Sequence, residues 1–129
     1  MGDMQAFIDS DRFARYLGVE ILSWEPGTAK ARMDVGPHHL NSAGTVHGGA
    51  LFSLADAVFA VASNSRGTLA MAINVSISFL KAHSSGSLFA EAQEISLSPR
   101  LATYLVTVTD GGGNRVALFQ GTVYRKKEN

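Results

Sequence analysis

The chain has 129 residues, with eleven basic and eleven acidic side chains and a formal net charge of zero, so no global field draws it to nucleic acid or to an anionic membrane. At 46% hydrophobic and 17% charged it carries enough apolar material for a core, unlike a disordered chain. Cysteine is absent, which removes disulfides, thiolate metal ligands and cysteine nucleophiles.

The length fits one domain, taken as residues 1–129 with an N-terminal helical segment over 1–17. Asp3, Asp9, Asp11 and Arg12 interrupt the first thirty residues, so neither a signal peptide nor a membrane span is expected, and the expected location is cytoplasmic. Met4, Phe7, Ile8, Phe13 and Leu17 recur at helical spacing with a break near Ser10, and Gly18 ends the segment. Val19 to Trp24 and Thr28 to Val35 read as strands joined by the turn Glu25-Pro26-Gly27.

Gly36 to Val46 is rich in Gly, Pro, Asn and Ser and reads as an ordered loop leading into one long helix, His47 to Asn64. Leu51, Leu54, Ala55, Val58, Phe59 and Ala62 form an apolar stripe, and the other faces are mostly apolar too, which predicts a largely buried helix. Ile73, Val75, Ile77 and Phe79 then alternate with polar partners as in a strand with one face on the core. Leu88 to Leu97, Leu101 to Thr109 and Val116 to Tyr124 complete the strands, and Arg125 to Asn129 reads as a solvated tail. The implied fold class is α+β: five to six antiparallel strands curved around one buried helix.

Three features converge at the start of that helix. Gly48 and Gly49 either serve a tight turn or let a carbonyl oxygen approach the free N–H groups at the positive end of the helix, as in an oxyanion hole. Asp56, set among Leu54, Ala55, Ala57, Val58 and Phe59 with only Ser53 and Ser63 for polar company on the helix, is either a structural carboxylate or a desolvated base or nucleophile. Asn41 either braces the loop or orients a water or carbonyl. His47 fits a structural role at the helix start. The four histidines show no ligand spacing and G-x-S-x-G is absent, so neither a metal, a cofactor nor a serine nucleophile is expected.

Eight residues separate Gly48 from Asp56, roughly 12 Å along a helix that rises about 1.5 Å per residue. One reacting carbonyl does not easily meet both groups of a single chain. If both act, two chains contribute them across a two-fold axis with antiparallel helices, which predicts a homodimer with shared sites.

The run His39-Leu40-Asn41-Ser42-Ala43-Gly44-Thr45-Val46-His47-Gly48-Gly49-Ala50-Leu51-Phe52-Ser53-Leu54-Ala55-Asp56 resembles the hotdog-fold acyl-CoA thioesterases, specifically the phenylacetic-acid-degradation subgroup. Asn64-Ser65-Arg66-Gly67, Ile77-Ser78-Phe79-Leu80 and Gly121-Thr122 extend the match. The resemblance implies hydrolysis of an acyl- or aryl-CoA thioester, with Gly48 donating its N–H to the carbonyl, Asp56 of the partner subunit as base or nucleophile, and Asn41 positioning the reacting groups. It leaves a further polar contact to Asn74 or Ser76 and places coenzyme A phosphates near Lys81, Arg100 and Arg66. Phe52 and Phe59 line an acyl pocket or are core. The expected partners are the substrate and the chain itself, as a homodimer and as a tetramer built from two dimers. Two rival readings are a hotdog hydratase or dehydratase using His47 with Asp56, and a non-catalytic acyl-CoA-binding domain.

Overall fold

The computed structural model describes residues 3–126. Its N-terminal segment is two short helices, α1 (Met4–Asp9) and α2 (Arg12–Leu17), broken at Ser10 as the spacing predicts. Each starts on an aspartate: Asp3 accepts from the Gln5 N–H at 2.9 Å and Asp11 from the Ala14 N–H at 3.0 Å, which satisfies amides that lack partners within the helix. Gly18, at φ 83°, closes α2 in the left-handed conformation and turns the chain into the sheet.

The remaining elements are β1 (Val19–Glu25), β2 (Thr28–Asp34), a 3₁₀ turn (Pro37–His39), α3 (Gly48–Asn64), β3 (Ala70–Phe79), β4 (Ser87–Leu97), β5 (Leu101–Asp110) and β6 (Arg115–Arg125). The strands form one antiparallel sheet in the order β1-β2-β4-β5-β6-β3. With one helix on its inner face this is the hotdog arrangement. Among the described residues no helix is long and apolar enough to cross a membrane.

Period-two alternation explains how the helix fits. The inner face of the central strands carries Ala29 and Ala31, Ala90 and Ala92, and Ala102, all buried, so the sheet is shallow where Leu54, Val58 and Phe59 of α3 descend into it. Gly121 takes this furthest: a Cβ there would lie 2.6 Å from the Phe59 ring, which packs against Tyr104 and Phe119. Phe59 is therefore core. At the far end of α3 the buried Asn64 accepts from the Ala70 N–H at 2.9 Å and donates to the Ala60 carbonyl at 2.9 Å. One carboxamide thus ties the helix end to the first residue of β3.

β3 departs from the expected strand with one face on the core. It is an edge, paired only with β6, and a bulge between Ala72 and Asn74 interrupts its register. Val75 and Ile77 pack against the core, whereas Met71, Ile73 and Phe79 are 67%, 61% and 55% exposed. Alternation reports which residues share a face, and says nothing about whether a neighbour covers that face. The expected C-terminal tail is also shorter than predicted. Arg125 belongs to β6 and donates to the Ser98 carbonyl at 2.9 Å, and residues 127–129 lie outside the described range.

Replacing Gly121 with alanine should cost about 1–3 kcal/mol by overpacking against Phe59. Urea unfolding should show a lower midpoint with an unchanged slope, and a smaller loss when the same change is made in a Phe59→Leu background.

Candidate active site

The loop before α3 is built around a histidine that the sequence did not single out. His39 is buried; its Nδ1 accepts from the Gly36 N–H at 2.9 Å, so its Nε2 carries the proton and donates to the Leu17 carbonyl at 2.7 Å. Its own carbonyl accepts from the His47 N–H at 2.7 Å. One residue thereby fixes the loop to the end of α2 and to the start of α3. Asn41, exposed on the same loop, accepts through Oδ1 from the N–H groups of Ala43 and Thr45 and donates through Nδ2 to the Thr45 hydroxyl. Within the protomer it braces the loop.

At the helix start the four free amides are sorted individually. His47 is the N-cap: its Nδ1 accepts from the Gly49 N–H at 2.8 Å and its carbonyl from Ala50 and Leu51 at 2.9 and 3.2 Å. The Gly48 N–H has no partner among the described residues. Of the two glycines, Gly48 is thus the one with a donor left over at the positive end of the helix. The Phe79 ring lies over it, at 3.1 Å from where a Cβ on residue 48 would be. Phe79 was legible as the next inward residue after Val75 and Ile77, but its contact with the helix start was not.

Asp56 lies half-buried eight residues further along and accepts no hydrogen bond among the described residues. The two serines offered as company bond elsewhere, Ser53 to the Gly49 carbonyl and Ser63 to the Ala60 carbonyl. Burial, and then the negative charge of Asp11 across from it, push the Asp56 carboxyl above the usual carboxylate range. A carboxylate raised in this way holds a proton more firmly and is a stronger base.

The remaining predicted residues scatter. Phe52 is half-buried, with its ring edge-on to Phe119 at 5.5 Å. Asn74 and Ser76 face away from Val75 and Ile77, and so away from α3. Lys81 is paired with Asp110 at 3.1 Å. The Asn114 N–H, the Lys81 ammonium and further donors hold the Asp110 carboxyl far below its ordinary range. Arg100 lies beyond the opposite end of the ten-residue β5, about 30 Å away at ~3.3 Å per residue. One protomer does not bring those two cations together. Arg66 forms a two-pronged pair with Glu94, both contacts at 3.0 Å, and Tyr104 donates to the same carboxylate at 2.7 Å. Burial alone would raise Glu94, but the Arg66 and Tyr104 hydrogen bonds outweigh it and leave the carboxyl below its usual range. Among the described residues no three His, Asp or Glu side chains form a group able to hold a metal.

An antiparallel sheet wrapped on one buried helix is the hotdog fold. Residues 43–117 match the family model of the thioesterase superfamily, and the chain belongs to that family. It is 37% identical over 121 residues to the acyl-coenzyme A thioesterase PaaI of Escherichia coli (strain K12), covering 93% of this chain and 86% of that protein. The solved structure of the E. coli PaaI protein, from the phenylacetic acid degradation operon, superposes with a TM-score of 0.93 over 97% of this chain and 91% of that one, at 36% identity. A point mutant of the phenylacetic acid degradation protein PaaI from Thermus thermophilus gives a TM-score of 0.86 at 43% identity, covering 90% of this chain and all of that one.

The raised Asp56 pKa has a consequence for stability. The folded chain holds this proton more tightly than the unfolded chain, so wild-type stability falls as pH rises from the unfolded value of about 3.9 through the higher folded one. Asp56→Asn removes that loss. Thermal unfolding should show the variant more stable at pH 7, with an advantage that shrinks as pH is lowered through the folded pKa; a constant difference across that window would contradict the assignment.

Proposed function

We propose that the protein hydrolyses an acyl-CoA or aryl-CoA thioester to the free acid and coenzyme A, at sites shared between two chains. The observation that carries this reading is the pair on α3: an unpartnered Gly48 N–H and an unpartnered, half-buried Asp56 carboxylate. They are eight residues apart, roughly 12 Å by helical rise. The substrate class follows the activity in the name of the E. coli relative, with phenylacetyl-CoA-like thioesters among the candidates.

The chemistry runs from these groups. Asp56 takes a proton from water as the oxygen attacks the thioester carbonyl, and the Gly48 N–H of the other chain holds the oxyanion at the positive helix end. As the tetrahedral intermediate collapses, the C–S bond breaks and the carboxylic acid returns its proton to the departing thiolate. Direct attack by Asp56, giving an anhydride that water then opens, uses the same groups. Single turnover in labelled water distinguishes the two routes, because only the second leaves label in the protein. His47, with Nδ1 taken by the Gly49 N–H, supports the capping role over a place in dehydration chemistry.

Two surfaces support the dimer. The β3 edge is unpaired and presents Met71, Ile73 and Leu80 to solvent, an arrangement that single chains avoid leaving open. α3 also leaves Phe52, Ser53, Asp56 and Ala60 only half-covered along one stripe. A two-fold axis that pairs the edges and sets the stripes antiparallel brings each Gly48 toward the other chain's Asp56. The exposed Leu101, Leu118 and Tyr124 give a second apolar surface on which two dimers form the proposed tetramer.

Asp56→Asn and Asp56→Ala should lower kcat roughly 10²–10⁴-fold in a thiol-release assay, with folding preserved by circular dichroism. A folded Asp56→Ala protein working at the wild-type rate would exclude the mechanism. Sedimentation should find a dimer or larger, and a fully active monomer would exclude shared sites. Thiol release marks hydrolysis; a new double bond without free thiol, or binding without turnover, would favour the rival readings.

A further inference from the structure

The loop that leads into α3 closes on itself before it reaches the helix. The Asn41 N–H donates to the Thr45 carbonyl and the His47 N–H to the His39 carbonyl, both at 2.7 Å, and Leu40 bridges to Val46. Residues 39–47 therefore move as one unit, and the free Gly48 amide stands directly at its exit. Just before that exit, Val46 and His47 send consecutive N–H groups to two different carbonyls, those of His83 and His39, at 2.8 and 2.7 Å. The direction of the next amide, that of Gly48, is set by how this unit is seated on the rest of the fold.

Apart from α3, which His47 caps, two hydrogen bonds among the described residues tie the unit to other elements. One is the bond from Val46 to the His83 carbonyl, in the loop between β3 and β4. The other comes from the His39 ring, whose Nε2 donates at 2.7 Å to the carbonyl of Leu17, the last residue of α2. Carbonyls at a helix end have no partner within the helix, so this one is open to such a donor. The ring cannot swing away to make the bond optional: it is buried, its Nδ1 is held by the Gly36 N–H at 2.9 Å, and the His38 ring lies against it at 3.9 Å. Without the His39 side chain the backbone bonds within residues 39–47 would persist, but the unit would hang on one tie and could tilt.

We infer that His39 is a positioning residue for the reaction: its ring seats the closed loop on α2 and, through His47, aims the Gly48 amide at the oxyanion. The inference rests on the acyl-CoA reading above and adds to it a residue that touches no reacting atom, and with it the docking of α2. A donor misplaced by about 1 Å can cost on the order of 10²-fold in rate. The oxyanion forms only as the reaction proceeds, so the loss falls on kcat and leaves KM nearly unchanged.

The test is steady-state thiol release from acetyl-, octanoyl- and phenylacetyl-CoA by His39→Gln, His39→Asn and His39→Leu, each shown to be folded by circular dichroism. Glutamine carries an N–H to about the position of Nε2 and can keep the bond to Leu17, whereas asparagine offers an acceptor near that of Nδ1 and cannot reach Leu17. His39→Asn and His39→Leu should lower kcat roughly 10- to 100-fold with KM changed less than about threefold. His39→Gln should recover most of that loss, and its comparison with His39→Asn decides the matter if His39→Leu fails to fold. Wild-type kcat in folded His39→Asn, a loss carried by KM, or a glutamine variant no better than the asparagine one would overturn the inference and leave the Asp56 mechanism standing. Failure of the wild type to release thiol from any of the three substrates would overturn the acyl-CoA reading, and this inference with it.

Discussion

α3 lies on a floor of alanines, and the rigidity of that seat fixes where Gly48 and Asp56, spaced along the helix by its rise, stand relative to the sheet. Ala29, Ala31, Ala90, Ala92 and Ala102 keep the inner face of the sheet low, and Gly121 admits the Phe59 ring. Leu54, Val58 and Phe59 therefore reach the sheet with almost no exposed surface. A close-packed core of this kind does not let the helix slide or rotate by small amounts. Both ends are also pinned, by the chain of hydrogen bonds from Leu17 through His39 to His47 and by the Asn64 carboxamide on Ala70. The two chemical groups are thus held at a fixed spacing along one axis, and that spacing makes a second copy of the chain part of the proposed site.

Both groups are ones that folding would ordinarily satisfy. Burial disfavours the charged form of the Asp56 carboxyl, and the Gly48 amide is left without a partner among the described residues. The neighbouring groups show that satisfaction was within reach. His47 takes the amides of Gly49, Ala50 and Leu51 but leaves Gly48, and Ser53 and Ser63 bond to backbone carbonyls of their own helix. Elsewhere the chain pairs its charges, as Glu94 with Arg66 and Asp110 with Lys81. Unmet hydrogen-bonding capacity at Gly48 and Asp56 is the local inconsistency on which the proposed site rests.

Much of this was legible in the sequence. Period-two and period-3.6 patterns located the strands and the buried helix, and the turn chemistry at Gly18 and Pro26-Gly27 placed their ends, because these signals arise from local backbone geometry. The exposure of β3 was not legible, since an alternating strand reads the same whether its neighbour is the same chain or another. The bridging role of His39 was not legible either, since a buried histidine that joins Gly36 to Leu17 leaves no spacing signal. Sequence alone shows Lys81, Arg66 and Arg100 as cations; the structure pairs the first two with carboxylates distant in sequence and sets Lys81 and Arg100 at opposite ends of β5. Pairings of that kind belong to tertiary structure alone.

The central claim is that Gly48 and Asp56 of different chains make one site, and subunit mixing tests it most directly. Asp56→Ala removes the carboxylate. Gly48→Pro removes the amide hydrogen at the first helical position, whose backbone proline accepts; the exposed Phe79 ring, 3.1 Å from the new Cβ, must give by a few tenths of an ångström, and His47, at φ −60° and ψ 137°, already has the backbone that a following proline requires. Each variant alone should be inactive. Unfolded together and refolded in equal amounts, they should recover about a quarter of wild-type activity, because half of the dimers are mixed and each mixed dimer carries one intact site. No recovery from mixtures shown to contain the mixed dimer would contradict the account.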